Sequence, residues 1–132
     1  MPQQAGLCEL LRGEVAPEDA VQPAQLEGMY LLQAGQCDHT ALATLAKDQA
    51  LDLFTRLRGE YDYVVIDSGP VLGYADALLL GGYADAAILT VLRDISRLPS
   101  VYEAREQLES VGVPVLGAVV GRVSSMGCAI SA

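Results

Sequence analysis

Apolar and polar positions follow two different periods along this chain. Ala5 to Leu11 (AGLCELL) places apolar residues at helical spacing and stops at Gly13. Pro17-Glu18-Asp19-Ala20 predicts a short helical turn, with proline at a first helical position and acids where a helix start favours them. Leu26 to Gln33 (LEGMYLLQ) contains a short apolar run that reads as a strand. Thr40 to Arg58 predicts one long amphipathic helix on Leu42, Leu45, Ala46, Leu53, Phe54 and Leu57, closed by Gly59 and with Lys47 in its middle. From Tyr61 the pattern changes. Tyr61 to Asp67 (YDYVVID), Ala86 to Leu92 (AAILTVL) and Val113 to Val120 (VPVLGAVV) are apolar runs without in-and-out alternation, which predicts strands covered on both faces of a parallel sheet. Helices are expected between them: Ala75 to Leu80, ended by Gly81-Gly82, and Leu98 to Val111, with Pro99 near its start and Gly112 after its end. Strand, helix, strand, helix, strand is the order of β-α-β crossovers, so the expected fold class is α/β: an open, mostly parallel sheet with flanking helices.

Length and composition narrow this reading. A chain of 132 residues suits a single domain, with 5–60 a helical region carrying a short strand, 61–123 the β-α-β-α-β core and 124–132 a tail. At 52% hydrophobic residues, disorder is excluded. Eight basic against seventeen acidic residues give a net charge of -9, a field that repels phosphate backbones and anionic lipid, so no nucleic-acid partner is expected. Asp76, Asp85, Arg93 and Asp94 interrupt the most apolar stretch before it reaches the roughly 18 residues of a membrane helix, so no direct membrane insertion is expected. Met1-Pro2-Gln3-Gln4 carries no basic region leading into an apolar one, so no secretory signal is expected either. Cys8, Cys37 and Cys128, odd in number and far apart, read as reduced thiols of a cytoplasmic protein and not as a disulfide frame or zinc site.

Ligands of open α/β sheets sit outside the carboxyl ends of the strands. Three segments qualify here: Asp67-Ser68-Gly69-Pro70, Arg93-Asp94-Ile95-Ser96-Arg97 and Gly121-Arg122-Val123-Ser124. An acid projected from the end of Tyr63-Val64-Val65-Ile66 can hold Mg²⁺ through its water shell beside a nucleotide triphosphate, or simply cap the next turn. Ser68 is not a hydrolase nucleophile, because Ile66 stands where the elbow requires glycine and the one histidine, His39, lies upstream in a polar stretch. The Arg93–Arg97 loop suits a nucleotide, a partner subunit or an acidic segment, or is a solvated loop with a local ion pair. No phosphate loop is present: the single lysine, Lys47, follows Thr44-Leu45-Ala46 with no glycine before it.

The order of segments nevertheless resembles one family closely. Gly6-Leu7-Cys8-Glu9-Leu10-Leu11-Arg12-Gly13 resembles the GLSELL-RG stretch of bacterial tyrosine autokinases of capsule and exopolysaccharide export. Met29 to Gly35 resembles their LYVLPAG strand, and Tyr61 to Leu72 (YDYVVIDSGPVL) their YDFVIIDSPPVL segment, the Walker B region. Ala75-Asp76-Ala77-Leu78 with Ala84-Asp85, and Leu116 to Val120, match two further segments, so the resemblance runs from Gly6 to about Val123. It implies a P-loop ATPase related to MinD and ParA, using Mg²⁺ and ATP to phosphorylate tyrosines on neighbouring kinase subunits. It also implies a membrane polysaccharide co-polymerase or adaptor as partner, and a cytoplasmic location, peripheral at the inner membrane through that partner. By position, Asp67 is then the catalytic acid and metal ligand, and Ser68, Arg93, Gly121 and Arg122 fall at the cofactor.

Several departures shape the expectation. The family's first strand, Walker A loop and second acidic Walker motif precede the GLSELL segment, which here follows only five residues. Gly121 stands where relatives have an adenine-contacting Asn, Gly69 replaces the first Pro of a pair, the loop after Gly35 lacks the Pro-rich segment, and 124–132 has no tyrosine. The chain is expected to be the C-terminal portion of such a kinase, inactive alone and binding no cofactor. The alternatives are a non-catalytic module that docks on a complete kinase or its membrane partner, and a remnant of a MinD- or ParA-type partitioning ATPase.

Overall fold

The computed structural model describes residues 5–122, so the tail at 124–132 and Cys128 lie outside the described residues. The chain divides between Val65 and Ile66 into two units. The first holds α1 (Leu7–Arg12), α2 (Pro17–Ala20), β1 (Val21–Pro23), β2 (Tyr30–Leu32), α3 (His39–Thr44) and α4 (Asp48–Glu60); the second holds α5 (Ala75–Gly81), β3 (Ala87–Leu92), α6 (Leu98–Ser110) and β4 (Val115–Gly121).

In the first unit α1 ends at Gly13, whose left-handed φ of 74° turns its N–H back onto Glu9 and Leu10 carbonyls. The β1 strand, three residues ending in proline, was not evident from the sequence. It pairs antiparallel with β2, Val21 opposite Leu32 and Pro23 opposite Tyr30. The long helix expected over 40–58 is two helices. Thr44 is buried and its hydroxyl bonds back to the Thr40 carbonyl at 2.9 Å, a back-bond that competes with helix continuation. Lys47 is extended (φ -111°, ψ 164°) and starts α4 instead of sitting in mid-helix, and α4 runs through Gly59 to Glu60. The core of this unit is Cys8, Leu11, Ala20, Ala41, Leu45, Ala50, Leu53, Phe54 and Leu57.

The loop after β2 is tied to α1 by an unusual density of bonds. Leu7 and Cys8 N–H groups donate to Gln33 and Ala34 carbonyls at 2.8 and 2.9 Å. Glu9, at the third helical position, accepts from the Gly6 N–H at 2.8 Å and the Gln36 N–H at 2.9 Å. Arg12 reaches the Gln36 carbonyl at 2.7 Å and pairs with Glu9, Glu14 and Asp38. Cys8 and Cys37 form a disulfide, with Cα atoms 5.2 Å apart. This corrects the expectation of reduced, unpaired thiols: an odd count and a separation of 29 residues hide a pair that only the packing of α1 on this loop brings together.

The Gln36 N–H, then those of Gly6 and Glu9 itself, and the Arg12 charge hold the Glu9 carboxyl below its ordinary value of 4.5, against the opposing pull of desolvation. A carboxyl depressed in the fold adds stability above its unfolded pKa and loses it as pH falls through the folded one. The first unit should therefore melt earlier in acid, below about pH 4.5, and Glu9→Gln should flatten that acid limb relative to neutral pH in thermal melts. An acid limb unchanged in Glu9→Gln would contradict this. Asp38, bonded by the Ala41 N–H, and Glu18, bonded by Arg56, are lowered as well and leave a residual slope.

In the second unit β3 and β4 pair in parallel through the α6 crossover, from Ala87 opposite Val115 to Leu92 opposite Gly121. The register shifts between Ala87 and Ile88, which leaves Leu116 unopposed. Ala77, Ala104, Leu108 and Val113 are buried, packing the helices together, and Gly81 lies against Val113 and Leu108. The α/β class with a parallel sheet is thus as expected. Two expectations are corrected. The strands are not covered on both faces: β3 alternates between half-buried and exposed positions and β4 is exposed along most of its length. Among the described residues, 61–67 forms no ladder. A strand is defined by its neighbours, and this run has none, so Tyr63 is 88% and Val65 92% exposed. Ile88, Leu116, Val119 and Val120 are exposed too, so apolar surface lies open along both strand runs.

Candidate functional site

The carboxyl ends of β3 and β4 form one locus because the two strands are parallel neighbours. The Arg93 N–H donates to the Gly121 carbonyl at 2.9 Å, carrying the ladder one residue past β3 and fixing Arg93 beside Gly121 and the following Arg122. The turn that follows is closed by side chain and backbone together. Ile95 and Ser96 N–H groups donate to the Leu92 carbonyl at 3.2 and 2.9 Å, and the Leu92 N–H donates to Ser96 Oγ at 3.0 Å. This tight turn places Asp94 at φ 65°, the one left-handed non-glycine among the described residues. Aspartate tolerates that region better than most residues because its short carboxylate can bond locally. Arg93 Nε lies 3.6 Å from Asp94 Oδ2, both exposed. The locus therefore offers two solvent-facing guanidinium groups, Arg93 and Arg122, and bare backbone at Gly121, an arrangement suited to an anionic or planar ligand.

Asp67 and Ser68 stand in the unpaired, exposed segment that opens the second unit. Ser68 Oγ donates locally to the Gly69 carbonyl at 3.3 Å. Of the five residues singled out in the sequence, the backbone bonding brings together Arg93, Gly121 and Arg122. Asp67 and Ser68 keep the expected strand-end position in sequence without the ladder that defines a strand end in space.

As a share of a magnesium site the chemistry of Asp67 fits: Mg²⁺ at phosphoryl-transfer centres takes one or two carboxylates together with water and substrate phosphates. Among the described residues no group of three or more His, Cys, Asp or Glu side chains is placed to hold a metal. No glycine-rich stretch ending in Lys and Ser or Thr occurs in the sequence. Among the described residues no helix is long and apolar enough to cross a membrane.

Sequence reasoning missed the Glu9–Arg12–Cys37 junction. Its signal was present in part, since Glu three residues after a helix-starting glycine, with Arg three further on, is a capping and i,i+3 pattern. The first unit also carries an open cavity of about 520 Å³ lined by Gly28, Tyr30, Glu60, Tyr61, Asp62 and Tyr63. Tyr30 and Tyr61 rings meet there at 5.4 Å in a tilted pair, which accounts for two of the six tyrosines as packing residues.

No family model matches the chain. EpsB of Ralstonia solanacearum, which bears the name of a tyrosine-protein kinase, is 29% identical over 117 residues, covering 89% of this chain and 16% of EpsB. The tyrosine-protein kinase CpsD of Streptococcus pneumoniae is 27% identical over 118 residues, again 89% of this chain and 52% of the relative. Among solved structures, the VpsO kinase domain superposes with a TM-score of 0.84 at 30% identity, over 92% of this chain and 60% of that domain. The chain thus spans about half the length of the CpsD relative and a smaller share of EpsB. Over 89% of its length this chain is similar to proteins named as bacterial tyrosine-protein kinases.

Proposed function

We infer that this chain is part of an ATP-dependent protein-tyrosine autokinase serving capsule or exopolysaccharide production. The observation that carries this reading is the likeness to a tyrosine kinase domain over 92% of the chain at 30% identity, together with the YDYVVIDSGP segment that contains Asp67. In the complete domain Asp67 would be the carboxylate that helps hold Mg²⁺. Bound ATP·Mg²⁺ supplies the transferable phosphoryl group. Arg93, Gly121 and Arg122, at the ends of β3 and β4, would hold the nucleotide, the arginines offsetting its negative charge and Gly121 offering backbone without a side chain. Ser68 places its hydroxyl beside the metal acid. Kinase subunits and a membrane polysaccharide adaptor are the partners, the chain standing on the cytoplasmic side and reaching the membrane through the adaptor.

By itself the chain should bind ATP negligibly, because positioning and electrostatics make up nearly all of phosphoryl-transfer catalysis and the loop that supplies most phosphate contacts is not in this sequence. Titration of a fluorescent ATP analogue with Mg²⁺ should give no saturable signal; micromolar binding that depends on Mg²⁺ would overturn this. Grafted in place of the matching half of the pneumococcal relative, residues 5–122 should support tyrosine phosphorylation, and Asp67→Asn in that graft should abolish it with the fold intact. A graft that stays active after the Asp67→Asn change removes the role given to this acid.

A second reading, a non-catalytic module that docks on a complete kinase or its adaptor, is favoured by the exposed apolar residues Ile88, Leu116, Val119 and Val120. It predicts that the chain binds a whole kinase domain in pull-down without altering phosphorylation of that kinase.

A further inference from the structure

Among the described residues, the densest unassigned chemistry is the junction of α1 with the loop after β2. Its two cysteines differ sharply in exposure. Cys8 is 2% exposed, on the buried side of α1, whereas its partner Cys37 stands on the exposed loop that leads into α3. Thiol–disulfide exchange needs a thiolate to approach one sulfur of the bond, and access decides which sulfur is attacked. Only Cys37 meets that condition here.

We propose that Cys37 is a thiol-exchange site at which a small thiol of the glutathione class opens the Cys8–Cys37 bond reversibly. The incoming thiolate sulfur forms a new S–S bond to Cys37 Sγ. The Cys8–Cys37 bond breaks, and its electron pair leaves with Cys8 Sγ, which takes a proton from water. One disulfide replaces another, so this step involves no net oxidation. A second molecule of the small thiol attacks the mixed disulfide, leaving Cys37 as a thiol and the small molecule as its own disulfide, which completes a two-electron reduction.

The neighbouring bonds make the step reversible. Leu7 and Cys8 remain tied by their N–H groups to Gln33 and Ala34, and Glu9 remains tied to the Gln36 N–H, one residue before Cys37. None of these bonds involves sulfur. With the disulfide open, Cys8 stays near the mixed disulfide, and its return attack on Cys37 Sγ is intramolecular, with the effective concentration that a fixed geometry confers. Opening the bond releases Cys37 from Cys8, while Arg12 still holds the Gln36 carbonyl and Asp38 and α1 keeps its position.

The test uses the full chain carrying Cys128→Ser, oxidised, then exposed briefly to reduced glutathione at neutral pH, quenched in acid and mapped by peptide mass. Glutathione should be found on Cys37 in preference to Cys8 by on the order of tenfold or more, with the free Cys8 captured by N-ethylmaleimide after denaturation. Removal of free glutathione from the mixed-disulfide form should restore the closed bond, as Cys8 attacks Cys37 Sγ and expels glutathione as its thiol. Equal labelling of the two cysteines, preference for Cys8, or an oxidised chain in which the Cys8–Cys37 bond is absent would each overturn the proposal. Single variants supply an independent reading with glutathione disulfide as the probe. Cys8→Ala should take up the adduct on Cys37 readily, and Cys37→Ala should take it up on Cys8 far more slowly, circular dichroism confirming that both are folded. Equal rates in the two variants would count against it in the same way.

Discussion

Removing the Cys8–Cys37 bond lowers the unfolding free energy of the first unit by about 3–4 kcal/mol. The figure follows from the separation of 29 residues between the cysteines: an open chain of that length gains the conformational freedom that the bond denies to its unfolded state. Packing adds little to the effect, since the backbone bonds of α1 to Gln33 and Ala34 remain. Urea unfolding of the Cys128→Ser chain with and without a strong dithiol should show the midpoint displaced. The Cys8→Ala, Cys37→Ala double variant should match the reduced protein and lose its sensitivity to the dithiol. A displacement worth less than about 1 kcal/mol would mean that the unfolded chain is already compact around this loop.

Gly6→Ala should cost about 3 kcal/mol, the upper end of what overpacking exacts. The reason is distance and not conformation, because the Gly6 backbone is ordinary extended chain. A methyl group there would fall on the Gln33 carbonyl oxygen and 2.5 Å from the Gly35 nitrogen, both main-chain atoms that cannot swing aside. Relief would require α1 to lift from the loop, breaking the two backbone bonds and straining the disulfide loop together. Gly59→Ala is the contrasting control. Gly59 lies inside α4 with open space around it, so alanine there should stabilise by about 0.5–1 kcal/mol. Thermal melts of the two variants should move in opposite directions; a Gly6→Ala protein that melts with the parent would show that the junction is looser than its bonds imply.

The parts of the fold legible in the sequence are those fixed by local pattern. Pro99 and Gly112 bracket α6, and the apolar runs on either side can only pair in parallel across it. The parallel pairing then brings Arg93, Gly121 and Arg122 together, which is why strand-end reasoning found them. Other features depend on partners far along the chain. Periodicity carries straight through Leu45 and Leu53, so nothing local warned that the Thr44 hydroxyl and extended Lys47 would divide the helix. A three-residue strand ending at Pro23 is too short for its pattern to register, and its existence rests on β2. Tyr61 to Asp67 shows the reverse case: side chains suited to a covered strand, without neighbouring strands to cover them. The position of Asp67 was therefore readable as sequence, while its surroundings in space depend on what lies against that segment.

The manner in which Glu9 fastens the loop has a consequence for how such a chain can diverge. Its oxygens grip amide hydrogens of Gly6 and Gln36; any residue but proline would bring that hydrogen to position 36, whereas position 6 is held to glycine by the Gln33 and Gly35 backbone packed against it. Apart from Gly35, whose left-handed turn brings it against Glu9, the identities along 33–36 matter less to this grip than the count of residues. Selection at this corner should conserve Glu9, Gly6, Gly35 and the spacing between them while the other letters drift, and an insertion there should do more harm than several replacements at the remaining positions.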